Sequence, residues 1–170
     1  MKNFFVLVSA MLLTASVASA EFKAGFVDVQ KAIEATNLGK KAKEEMRKEA
    51  EKRNKELEKK KGDIDKMRED IEKKRSVLAE EAFAKRAQEL QEEMQRFNQS
   101  AAKAQADLQK KEGELLEPIV KKIRSVIEKI AKEKNLNMVI QSNPNAQIVL
   151  YATPDVDLTE EVVKTLDKEK

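Results

Sequence analysis

The chain of 170 residues contains no histidine and no cysteine. That removes the usual metal ligands, the commonest general base and every thiol nucleophile. Serines, lysines and carboxylates are present, but no set supplies a nucleophile, a base and a third group to orient them. The four glycines, Gly25, Gly39, Gly62 and Gly113, are too dispersed to cradle a phosphate. Lysine runs at Lys59-Lys60-Lys61 and Lys73-Lys74-Arg75 raise the question of nucleic acid. Over residues 37–74, however, 11 acidic side chains accompany 15 basic ones, and only 4% of the chain is aromatic. The charge is largely cancelled and stacking groups are missing, so no nucleic-acid partner is expected. Neither an enzyme nor a cofactor is expected. What remains is non-covalent chemistry, done by an apolar stripe flanked by charges of both signs.

The stripe sets the architecture. Phe83, Ala87, Leu90, Met94, Phe97, Ala101, Ala104, Leu108, Lys111 and Leu115 follow one another at alternating gaps of four and three, with only Lys111 breaking the apolar set. This is coiled-coil spacing, which keeps one narrow stripe against a partner helix. The partner lies upstream, where Ala50, Leu57, Ile64, Ile71 and Leu78 recur every seven residues, with Met46 and Met67 as further apolar points. Folding the chain back near residue 77 sets Met46 opposite Leu108, Ala50 opposite Ala104, Leu57 opposite Phe97, Ile64 opposite Leu90 and Ile71 opposite Phe83, each pair summing to 154. The same register puts Arg53 against Ala101 and Lys60 against Met94, so the seam is imperfect. An antiparallel helical hairpin over residues 37–118 is expected, with its tip near 76–78 and Ser76 capping the second helix. Two helices sharing one thin stripe bury too little to stand alone, so a body must hold their base.

Residues 1–20 form a separate object. Lys2 is a positive n-region, Phe4–Leu13 an apolar core and Ala18-Ser19-Ala20 a small-x-small site. A secretory signal peptide cut between Ala20 and Glu21 is expected, because the apolar run is shorter than the ~20 residues of a spanning helix. Losing Lys2 takes the net charge from +3 to +2, too little to argue for a nucleic-acid or membrane partner.

The body is read from both ends of the remaining chain, residues 21–36 and 119–170. Phe22–Val29 (FKAGFVDV) is expected to be a strand buried on both faces, followed by a short helix over Gln30–Ala35, with Thr36 or Asn37 starting the first arm. The second arm is expected to run from about Val77 to Lys134, with Pro118 marking its return to the body. Beyond it, Ile119, Ile123, Val126, Ile127 and Ile130 make a broader stripe suited to a sheet. Strands beginning at Met138 and at Gln147 are expected to form a hairpin around the turn Ser142–Asn145, before a short helix capped by Asp157 or Thr159. The fold class is therefore mainly α with a small β body of three strands per subunit. So small a layer is expected to be completed by other subunits through Phe26, Val27, Val139, Ile140, Ile148 and Leu150.

The leading FVDVQKA at 26–32, the charged hairpin, NLNMVI at 135–140 and the closing YATPDVDLTEEVVKTL at 151–166 resemble the Skp/OmpH family of periplasmic chaperones. The resemblance implies a homotrimer whose body gathers strands from three subunits and whose hairpins surround a cavity that holds unfolded outer-membrane proteins without ATP. Periplasmic localisation is implied too, while transient contact with a membrane surface is left open. Leu78 at the tip and Leu116 beside the junction are the candidates to touch a client. The near-balanced charge departs from the strongly basic familiar members and argues against strong electrostatic capture. A structural spacer coiled coil of the envelope is the alternative reading, though a spacer has no need of a stranded body.

Overall fold

The computed structural model describes residues 22–142 and 149–169. The expected signal peptide with its Ala20–Glu21 cleavage point, the turn residues 143–145 and Ile148 lie outside them.

Strand β1 (Ala24–Asp28) passes directly into helix α1 (Val29–Ala35), because the Asp28 carboxylate accepts the Lys31 N–H at 2.9 Å and caps the helix. Thr36 then breaks the chain and starts α2 (Asn37–Lys74). It is fully buried, and its hydroxyl donates to the Ile33 carbonyl at 2.9 Å while accepting the Gly39 N–H at 3.1 Å. After a short turn, α3 (Glu80–Glu133) runs for 54 residues, about 80 Å at ~1.5 Å per residue, back along α2 and through the body. The cap expected from Ser76 is not made. Helix α3 begins later, with Ala79 at its N-cap and no side chain satisfying its first amides, although Glu80 and Glu81 complement its dipole. Pro118 lies inside α3 without ending it.

Strand β2 (Met138–Ser142) pairs with β1 in parallel, Ala24 beside Met138 through Asp28 beside Ser142. The expected hairpin between 138–142 and the next segment turns through residues 143–148, which lie outside the described ones. Strands joined by a long helical crossover pair in parallel, and here the whole α1–α3 excursion is that crossover. The sheet has two strands among the described residues, and 149–152, the described part of the expected third strand, carries none. On its other side β1 meets the segment before the last helix, where Phe26 bridges to Asp157 and its carbonyl accepts the Leu158 N–H at 2.9 Å. Helix α4 (Thr159–Lys168) follows. Asp157 accepts the Thr159 N–H at 2.9 Å, and the Thr159 hydroxyl turns instead to accept the Asp28 N–H at 3.0 Å.

The core lies in the body. Ile119, Ile123, Val126 and Ile130 of α3 are buried with Val27, Ala32, Ala42, Leu158, Val162 and Leu166. Strand β1 is covered on one face only: Gly25 and Val27 are buried while Ala24, Phe26 and Asp28 are half-buried. Within one chain, the other face of the expected buried strand is thus only partly covered, although β1 has a neighbour on each edge. Bonds between distant segments close the body, among them Asn37 N–H to Asp167 at 2.9 Å and Asn137 N–H to the Lys23 carbonyl at 2.8 Å.

Candidate functional site

The feature that extends beyond the body is the arm formed by α2 and α3. Its composition makes a solvated two-helix rod. Glu and Lys or Arg stand four or three apart along both helices and pair on the surface, as in Lys73–Glu69 at 2.7 Å, Lys74–Asp70 at 2.6 Å and Arg47–Glu44 at 2.8 Å. Such pairs each add only a few tenths of a kcal/mol, but they cancel the basic run at the tip locally. The tip run is matched residue by residue, since Arg75 also lies 4.0 Å from Glu72.

Of the seam residues, Ile64, Ile71 and Ala104 are buried. Met46, Ala50, Leu57, Phe83, Leu90, Phe97 and Leu108 are half-buried, as is the tip residue Leu78, while Ala87 is exposed. Met94 is 41% exposed although it stands in the apolar row. Four polar ties cross the arm: Lys111–Glu45 at 2.7 Å, Arg53–Asp107 at 3.6 Å, Lys60–Ser100 at 2.7 Å and Arg86–Asp70 at 3.4 Å. Their residue numbers sum to 156 or 160 rather than 154. Side chains lean toward the N-terminus of their own helix, so in antiparallel arms their ends meet at larger sums than the backbone levels do.

These ties are the arm residues that the seam argument passed over. Lys111, Arg53 and Lys60 are its breaks, and each reaches across to the facing helix. A heptad row read through Met46, Arg53, Lys60 and Met67 signals them, because a basic residue in a seam row needs a polar partner on the facing helix. The bond to Glu45 raises the Lys111 ammonium above its ordinary pKa. The hydrogen bond from Lys74, aided by the charge of Arg86, lowers that of the Asp70 carboxyl.

In the body, Val27 is covered within the chain, whereas Phe26, Val139 and Ile140 are half-buried and Leu150 is 87% exposed. Val27, Val139 and Ile140 line one shallow groove with Val29, Ile123 and Ile127. Leu116, expected free beside the junction, is half-buried against the body core. Among the described residues no helix is long and apolar enough to cross a membrane, and no acidic cluster could hold a metal ion.

A solved structure from Caulobacter crescentus CB15, an outer membrane chaperone candidate (OmpH-like), has the same fold. Its TM-score is 0.76 at 18% identity, over 89% of this chain and 87% of that one. A comparison with curated proteins finds no match. Residues 23–166, arm and body together, match the profile of the outer membrane protein (OmpH-like) family, and the chain belongs to that family.

Proposed function

We propose that the chain is an exported, nucleotide-independent holdase that keeps unfolded outer-membrane proteins soluble in the periplasm, held between the arms of a homotrimer. The observation that carries this reading is the division of labour in the fold. The body has its own buried core of residues from β1, α1, the first turns of α2, α3 and α4, while the rest of α2 runs on with α3 as a charged rod far beyond it. A rod of about 48 Å, residues 43–74 at ~1.5 Å each, adds little to the stability of the body and much to its reach. Several rods around one space offer many weak contacts, additive when a single client spans them. Family membership supports the reading, as does a fold neighbour described as a chaperone candidate. Copies associate through the half-buried Phe26, Val139 and Ile140 and the exposed Leu150.

One observation favours the spacer reading instead. Val77 and Met94 are the only exposed large apolar side chains on the described arm, so the rod is thinly supplied with apolar contacts. Light scattering separates the two. The chain without residues 1–20 is mixed, without nucleotide, with an outer-membrane barrel diluted from denaturant. A holdase suppresses aggregation at near-stoichiometric ratios. A spacer leaves the time course unchanged.

A further inference from the structure

The apolar stripes of α2 and α3 do not by themselves choose a partner or a register. A slip of one heptad would set Leu57 against Ala104, Ile64 against Phe97 and Ile71 against Leu90, all still apolar. Packing also leaves room for a further helix, because Leu57, Phe83, Leu90, Phe97 and Leu108 are only half-buried in the two-helix arm. The choice comes from the faults in the stripes. On α2, Arg53 and Lys60 take seam positions one heptad apart, and each is answered from α3. Arg53 lies 3.6 Å from Asp107, and Lys60 donates to Ser100 Oγ at 2.7 Å. On α3, Lys111 is answered by Glu45 of α2 at 2.7 Å. The one-heptad slip would set Lys111 level with Lys52 instead of Glu45. Each fault therefore gives up apolar contact and marks one partner, as single polar residues do in coiled-coil seams.

We propose that Arg53, Lys60 and Lys111 form a pairing code, which lets α2 zip onto α3 and stops the arms of neighbouring copies from closing on one another. In the homotrimer on which this proposal rests, symmetry sends all the arms from the body in one direction. Like helices brought together would then run parallel, each residue meeting its own copy. Contact between two copies of α2 along the stripe would set Arg53 against Arg53 and Lys60 against Lys60. Contact between two copies of α3 would set Lys111 against Lys111. In neither case is the acid or hydroxyl that answers the fault present, because it stands on the other helix. Like charges placed together reject the wrong partner while the right one keeps its contacts. Unbroken apolar stripes would instead let the arms gather into one bundle and fill the space proposed for a client.

The chain has no cysteine, so Asn54→Cys, at an exposed position on the flank of the seam, gives one thiol per copy. Cross-linking between copies by a short bis-maleimide is compared with and without Arg53→Leu/Lys60→Leu/Lys111→Leu, in the chain lacking residues 1–20. The triple substitution should raise the yield at least about tenfold, because like charges set against each other across an interface cost more than that factor. Its urea midpoint should stay level or rise, since leucine restores the apolar stripe. Exchanging one pair, Arg53→Asp/Asp107→Arg, preserves both the tie and the like-charge meeting, and should leave the yield at the native level. An unchanged yield in the triple variant overturns the proposal, as does a rise of the same size in the exchanged one. A lower midpoint in the triple variant also overturns it, by making the three residues fasteners of their own arm. The mass of the native chain keeps the two readings apart. A native monomer would contradict the homotrimer alone, and the code would then be read from cross-linked dimers of the triple variant.

Discussion

Gly39→Ala and Gly62→Ala are the same change in the same helix, and the structure gives them opposite signs. A Cβ on Gly39 would lie 1.7 Å from the Ile33 carbonyl oxygen, 2.6 Å from its carbon and 3.2 Å from Thr36 Oγ1. The first two are backbone atoms of the last turn of α1, and that carbonyl also receives the Thr36 hydroxyl. No rotamer change relieves the clash, so α1 must move away by more than 1 Å, which pulls it from the body core that Ala32 helps to fill. Overpacking of this kind costs about 1–3 kcal/mol, and loss of the Thr36 cap about 1 more. The propensity gain returns less than about 1 kcal/mol in the first helical turn. A net loss of about 1–4 kcal/mol follows for Gly39→Ala, against a gain of about 0.5–1 kcal/mol for Gly62→Ala, whose added Cβ meets nothing within 4 Å. Urea unfolding at fixed protein concentration reads the difference. The Gly39→Ala midpoint should fall by about 0.5 M or more, while that of Gly62→Ala should not fall. Equal midpoints would refute the argument that close approach of α1 is what selects glycine at 39.

Three further outcomes are expected. Ile64→Ala should cost the arm about 2–4 kcal/mol and raise hydrogen exchange in the distal arm while exchange in α4 and β1 stays unchanged. A charged replacement at Val139, half-buried beside the body groove, should dissociate the proposed assembly, seen as a lower mass in solution that depends on concentration. The exposed carboxyls of Glu44, Glu69, Asp70 and Glu117 are held below their ordinary pKa, chiefly by hydrogen bonds from Arg47, Lys73, Lys74 and Lys121. Groups depressed in the folded state stabilise it above their unfolded pKa and lose that contribution as pH falls through the folded value. Helix content followed by circular dichroism should therefore hold from neutral pH down to about 5 and decline below about 4. A rise on acidification would contradict these pairings.

The helices were largely legible in the sequence, because a long helix writes its period many times over. Thr36 was recognisable as a start signal, and the Ile119–Ile130 stripe as the face that meets the sheet. The strands were harder, since five residues carry few repeats of their period. Met138–Ser142 reads as one half of a hairpin because a turn follows it. Its partner among the described residues, β1, is set by where α3 delivers the chain. The segment that flanks β1 on its other side, Asp157–Leu158, is too short to show a strand pattern. Ser76 looked like a cap by residue type, but the tip turn carries the chain past it before α3 begins. The cross-arm ties were visible only as faults, Arg53, Lys60 and Lys111, since nothing in a single helix's spacing names the acid or hydroxyl opposite.

The proposal that the arms do the binding is tested most directly by shortening them. Removing residues 54–71 and 85–102 deletes five turns from each helix, at 3.6 residues per turn. The cut keeps the faces in phase and leaves the tip turn, Glu45–Lys111 and the body core in place. The shortened and full-length chains, both without residues 1–20 and shown to have the same number of subunits, are compared for suppression of aggregation of a large unfolded outer-membrane barrel. The account predicts that the shortened chain assembles normally and loses most of its protection. Protection equal to that of the full-length chain would make the arms spacers and contradict the account.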